Sequence, residues 1–295
     1  MQNQSFPLYQ RDRRYIPRVA AVHDMCGYGK CSLTAAIPIL SAAGCDVCPV
    51  PTALFSAHTM YKDYTFHDTT EMLPSYLDAW RKEGVELDGI YNGFLGSAEQ
   101  VGIIERMYRE YPSALRLVDP VMGDGGSMYP TYTEEMCHAM TRLVDGADVL
   151  MPNLTEVSLL TGIPYEGQCL DDDQVDRRLD RLLSMGAKNV VVKGIDRGDG
   201  KLRNYVASAA HGGVEGKVEL VHDRLPFMIH GTGDAFASAL SGALFAGLGL
   251  DESARIAGEF VRSAMKSTRN QPHYQERGVS FELDLGLLTD LVPRD

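Results

Sequence analysis

Apolar residues fall in short runs separated by longer amphipathic stretches. Val19 to Val22 predicts a strand, and after a turn at Gly27 and Gly29 the spacing from Ser32 to Ala43 predicts a helix. Val47 to Pro51 predicts the next strand, Thr70 to Lys82 a helix, Gly89 to Asn92 a strand, and Ala98 to Glu110 another helix. Further strands are expected at Arg116 to Val118, Val149 to Met151 and Val190 to Lys193, each close after a helical pattern. Alternation of this kind implies parallel strands, right-handed crossovers and helices on both faces. The expected fold class is α/β, a three-layer sandwich with a central, mostly parallel sheet, and ligands then gather at the carboxyl ends of the strands.

With 295 residues and 44% apolar content, the chain can bury the core of one large domain, expected over residues 19–295. Residues 1–18 are polar, carry Arg11, Arg13, Arg14 and Arg18, and read as a loose arm. They lack the apolar stretch of about 7–15 residues that a signal peptide needs. No apolar run approaches the roughly 20 residues of a membrane span, so a soluble, cytoplasmic protein is expected. The net charge of −12, from 28 Lys+Arg against 40 Asp+Glu, argues against nucleic-acid or anionic-membrane partners, which call for a cationic face. An acidic chain that binds a nucleotide needs a metal ion and a local cluster of donors. Cys45 and Cys48 have the spacing of a zinc half-site, but no second Cys/His pair matches them, and free buried thiols are the expectation.

The most informative stretch is Met228 to Ala235, where Gly231-Thr232-Gly233-Asp234 runs into the apolar helical spacing of Phe236, Leu240 and Leu244. Two glycines allow a tight turn, and the uncovered amides of the first helical turn form a nest for an anion. Asp234, beside the nest and favoured as an anion by the helix dipole, is placed to take a proton from a substrate hydroxyl during phosphoryl transfer. The same residues also suit a plain turn with Asp234 as helix cap.

Other polar motifs fall at expected strand ends. These are His23-Asp24, Asp119 through Gly126 with Asp124, Asn153-Leu154-Thr155-Glu156, and Lys193-Gly194. Asn153 and Glu156 stand three apart at a helix start and can share a face as hard oxygen ligands for Mg²⁺, or serve only as a cap and a first-turn acid.

Together with Gly27-Tyr28, Phe55-Ser56-Ala57-His58-Thr59, Gly93-Phe94-Leu95-Gly96-Ser97 and His230, these motifs make the chain resemble the ribokinase-like small-molecule kinases, and within them the vitamin B6 (pyridoxal/pyridoxamine) kinases. The resemblance runs from about Val19 to Gly278 and implies a small lid, ATP with Mg²⁺, a B6 vitamer as substrate and a homodimer, leaving any monovalent-cation requirement open. It implies Asp234 as the base for the 5′-hydroxymethyl group, with the Gly231, Thr232 and Gly233 backbone on the γ-phosphoryl group. It also implies Asp119, Asp124, Asn153 and Glu156 around nucleotide phosphates and metal, and Lys193 on a phosphate. On the acceptor side it implies Tyr28, His58, Thr59 and Phe94, although Phe94 equally suits the core.

The chain departs from the family where a serine that binds the pyridine nitrogen is matched here by Val22, which has no donor. Hydroxymethylpyrimidine kinases of thiamine synthesis share the histidine before Gly231 and the strand-end lysine, yet typically carry cysteine in place of Asp234. They are the second reading. A non-catalytic vitamer-binding protein on the same fold is a third, disfavoured because a binding module gains nothing from a base beside an anion nest. A sugar kinase would call for more carboxylate and amide groups than His58, Thr59 and Phe94 supply. Tyr61 to Asp68, polar and placed after the acceptor motif, is the expected lid.

Overall fold

The computed structural model describes residues 7–12 and 14–292. The chain opens with β1 (Arg18–Cys26), α1 (Ser32–Ala42), β2 (Asp46–Phe55), β3 (Phe66–Asp68), α2 (Leu73–Lys82) and β4 (Gly89–Asn92). It continues through α3 (Ala98–Glu110), β5 (Leu115–Val118), a small hairpin of β6 (Gly123–Asp124) and β7 (Ser127–Met128), and α4 (Glu134–Met140). Then come β8 (Val149–Leu150), α5 (Leu154–Thr161), α6 (Asp172–Ser184), β9 (Asn189–Asp196), β10 (Lys201–Ser208) and β11 (Gly213–Asp223). Two long helices follow, α7 (Thr232–Phe245) and α8 (Leu250–Thr268). The architecture is α/β, with mostly parallel strands flanked by helices. Two units emerge, one of residues 1–91 and 226–295, the other of residues 92–225.

In the first unit the strand order is β4-β1-β2-β3. Val19 to Val22 is a continuous apolar run with every side chain fully buried, as a strand covered on both faces requires. It pairs in parallel with β2, Val22 standing opposite Val50, whereas β3 returns antiparallel beside Phe55. Helix α7 carries Ala237, Ser238, Ala239, Ser241, Gly242 and Ala243, all buried. A Cβ at Gly242 would stand 2.5 Å from that of Ala43, so the small residues let α7 lie directly against the end of α1.

Residues 7–12 and 14–18, expected to be loose, are tied down. The Tyr9 and Tyr15 hydroxyls donate to the two oxygens of Asp88 at 3.0 and 2.9 Å, and the Arg11 guanidinium donates to the carbonyls of Ala43 and Gly44. Residues 1–6 and Arg13 of that stretch lie outside the described residues. No described helix is long and apolar enough to cross a membrane.

In the second unit the order is β11-β10-β9-β8-β5. Strands β5, β8 and β9 are parallel as the alternation predicts, but β10 and β11 form an antiparallel hairpin extending from β9. The sheet is thus mostly parallel, as expected, with this hairpin as an antiparallel edge that the alternation did not mark. The turn through Gly198 and Gly200 is too short for a crossover helix, so the chain folds back on itself. Within the hairpin Arg203 and Tyr205 both donate to Glu219 of the facing strand, at 2.8 and 3.0 Å.

Candidate active site

Gly231 sits before α7 at φ +80°, and a Cβ there would meet the Lys30 carbonyl oxygen at 2.3 Å, so glycine is required on both counts. Thr232, Gly233 and Asp234 form the first turn, whose amides have no acceptor within the helix and lie at the positive end of its dipole. The Thr232 hydroxyl donates back to the Ile229 carbonyl at 3.3 Å. Asp234 is held from across the unit, with the Ser32 amide donating to its Oδ2 at 2.9 Å.

Ser32 is buried and adopts φ +50°, a left-handed conformation that a non-glycine residue holds only under constraint. Its hydroxyl donates to Asp24 at the end of β1. Burial pushes the Asp24 carboxyl up to about 7, and the negative charge of Asp234 adds to the rise, while the Ser32 hydrogen bond opposes it. One serine thus bridges two carboxylates, through its hydroxyl on one side and its amide on the other. The sequence marked Asp24 as a strand-end charge without giving it a role, and Ser32 carried no signal at all.

His58, expected on the acceptor side, has its amide bound to the Tyr28 carbonyl at 2.7 Å and its Nδ1 accepting from the Met60 amide at 3.2 Å. Burial, and then His230, drives its imidazole down to about 4, so the ring is neutral with its proton on Nε2. The rings of His58 and His230 lie 5.5 Å apart. Tyr28 is half exposed, with its ring 5.1 Å from Tyr61 and the Arg277 guanidinium 4.8 Å above it. Thr59 is exposed. Val22 is fully buried inside β1, two residues before Asp24.

A second cluster of predicted residues assembles in the other unit. Lys193, midway along β9, donates to Asp119 Oδ1 at 2.6 Å, and Asp119 Oδ2 is buried without a hydrogen bond. Burial raises both Asp119 and Glu156, with Lys193 opposing each rise, and Glu156 stands well above the carboxylate range. Glu156 Oε2 accepts from the Asn153 amide at 2.7 Å, and Asn153 Oδ1 accepts from the Glu156 amide at 2.9 Å, a reciprocal cap on α5. Asn153 Nδ2 donates to the Gly123 carbonyl at 2.9 Å, fixing the β6–β7 hairpin on which exposed Asp124 lies. Phe94 is buried edge-on to Tyr132 at 5.7 Å, the packing of a core aromatic.

Asp119 and Glu156 set two buried carboxylates against one lysine. Among the described residues no group of three or more His, Cys, Asp or Glu assembles into a metal cage. Mg²⁺ on nucleotide phosphates is usually held by only one or two carboxylates and water. The free oxygen of Asp119 and the excess of buried acid fit that mode.

The fold is that of the ribokinase-like kinases. The chain belongs to the phosphomethylpyrimidine kinase family, whose model matches residues 31–278. It is 33% identical over 267 residues, 85% of each chain, to the pyridoxine/pyridoxal/pyridoxamine kinase of Bordetella avium. Among solved structures it is similar to a Bacteroides thetaiotaomicron protein described as a phosphomethylpyrimidine kinase and crystallised with pyridoxal. That match has a TM-score of 0.86 and 33% identity, covering 95% of this chain and 97% of the other. The pyridoxal kinase of Lactobacillus plantarum matches with TM-score 0.85 and 28% identity, covering 94% and 98%.

Proposed function

We propose that the protein transfers the γ-phosphoryl group of ATP to the 5′-hydroxymethyl group of pyridoxal, pyridoxine or pyridoxamine. The observation that carries this reading is Asp234 on the first turn of α7, fixed by the Ser32 amide and set among amides that have no acceptor within the helix. The acceptor hydroxyl gives its proton to an Asp234 oxygen as its own oxygen forms a bond to the γ-phosphorus. The bond from that phosphorus to the bridging oxygen of ADP breaks, while the Thr232, Gly233 and Asp234 amides balance charge on the transferring group. A protonated Asp24 leaves the negative charge of Asp234 without a like charge beside it. The neutral His58 offers Nε2–H as a donor to the acceptor ring or its substituents.

Lys193 and Asp119 serve the nucleotide phosphates, and Asp119, Asp124, Asn153 and Glu156 fit Mg²⁺ directly or through water. When bound, the metal ion neutralises phosphate charge. The resemblance to B6 kinases supports a homodimer, and six free thiols support a reducing, cytoplasmic compartment.

The test is phosphorylation of pyridoxal, pyridoxine, pyridoxamine and hydroxymethylpyrimidine by the purified protein, followed by ADP release and product mass. At least one B6 vitamer is expected to have the highest kcat/KM. A preference for hydroxymethylpyrimidine replaces this reading with the thiamine-synthesis kinase, and binding without turnover replaces it with a vitamer-binding protein.

A further inference from the structure

Cys26 ends β1, Cys31 precedes α1, and the loop between them carries Gly27, Tyr28, Gly29 and Lys30. The two thiols hydrogen-bond each other, and Cys26 Sγ also meets the Tyr28 carbonyl at 3.3 Å. The loop touches both parts of the acceptor site. Its Tyr28 carbonyl holds the His58 amide, and a Cβ at Gly29 would stand 2.7 Å from the Cβ of His58. Its last residue, Cys31, adjoins Ser32, whose amide holds Asp234.

The thiols differ in character. Hydrogen bonding from Cys31 draws Cys26 below the ordinary thiol range, and the same contact, with burial, drives Cys31 well above it. Burial raises Cys45, Cys48 and Cys137 instead. Cys169 is exposed, with its thiol on the Arg197 carbonyl at 3.1 Å. The pair at the acceptor loop therefore combines an attackable sulfur with a resolving one in contact.

We propose that Cys26 and Cys31 are an oxidation site at which a peroxide closes a disulfide across the acceptor loop and switches the site off. Hydrogen peroxide transfers an oxygen to the Cys26 sulfur, leaving a sulfenic acid and water. The Cys31 sulfur then attacks the Cys26 sulfur, the S–S bond forms, and a second water leaves, so two thiols and one peroxide give one disulfide and two waters. Closing the sulfurs to about 2 Å displaces Cys31 and draws the neighbouring Ser32 amide from Asp234. A thiol reductant reverses the change.

The effect on turnover rests on the kinase reading, whereas disulfide formation does not. The reduced protein is treated with hydrogen peroxide, then divided between a non-reducing peptide map by mass spectrometry and a pyridoxal phosphorylation assay. The expected result is a Cys26–Cys31 linkage, a fall of about tenfold or more in turnover, and recovery with dithiothreitol. Cys31→Ser, with an oxygen that suits a helix start, should resist inactivation, and Cys26→Ala should do the same if that variant folds poorly. A pair that stays reduced while Cys169 oxidises overturns the proposal, as does a disulfide that leaves turnover unchanged. If the reduced protein phosphorylates no B6 vitamer, the function reading falls by itself. The peptide map then decides for or against the thiol pair.

Discussion

The Ser32 amide donates to Asp234 Oδ2 at 2.9 Å, although the two residues are 202 positions apart in sequence. Contact between the start of α1 and the start of α7 therefore fixes the carboxylate in one orientation. That is the geometric demand on a general base.

Asp234→Asn keeps the size and the Ser32 contact while removing the proton acceptor. The turnover number should fall about a hundredfold or more with ATP affinity little changed. Unchanged turnover in steady-state assays would remove Asp234 from the reaction.

Asp24 makes stability depend on pH in an unusual direction for a carboxylate. It keeps its proton to about pH 7 when folded, against an ordinary value of 3.8, so the folded chain binds more protons between those values. Its contribution to stability is complete below about pH 4 and is lost as pH rises through about 7. Asp24→Asn cannot ionise, so its Tm relative to wild type should be higher at pH 8 than at pH 5. A difference that is flat across this range in thermal melts would reject the buried, proton-holding Asp24.

Glu156→Gln preserves the reciprocal cap with Asn153, because glutamine also accepts from the helix-start amide. Stability should change little, while the Mg²⁺ concentration giving half-maximal rate should rise by roughly threefold or more as a hard anionic oxygen is lost. If the Mg²⁺ curve stays where it was, Glu156 acts as a cap alone.

Gly231→Ala meets both a left-handed φ and the Lys30 carbonyl. The substitution should destabilise the fold by about 1–3 kcal/mol in urea titrations and lower kcat in the surviving folded fraction. A neutral effect on both would mean that the turn before α7 relaxes without disturbing the amide nest.

Periodicity placed the helices Ala98–Glu110 and Ser32–Ala42 closely, because one face of each is apolar at helical spacing and the ends carry turn residues. The β10–β11 hairpin escaped it. Its strands mix Arg203, Asn204, Lys217 and Glu219 with apolar residues, a pattern set by cross-strand partners that local spacing does not reveal. The same limit applied at the site. The glycine turn into a helix at Gly231 to Asp234 was legible because its signal is local, as was the helix start at Asn153 and Glu156. Ser32 was not, since its importance lies in a distant carboxylate and a backbone angle. Val22, marked only by the resemblance to the B6 kinases, is fully buried within β1.

The close seat of α7 on α1, with Gly242 against Ala43, bears on how such a protein could be redesigned. A library that varies α7 must leave Gly242 alone, because a methyl there would clash with Ala43 and press α7 away from α1. Exposed positions such as Thr59 and Met60 tolerate wide replacement without disturbing that joint. Directed evolution toward new alcohols should therefore collect its gains in the segment after β2, while the helix bearing Asp234 stays nearly invariant.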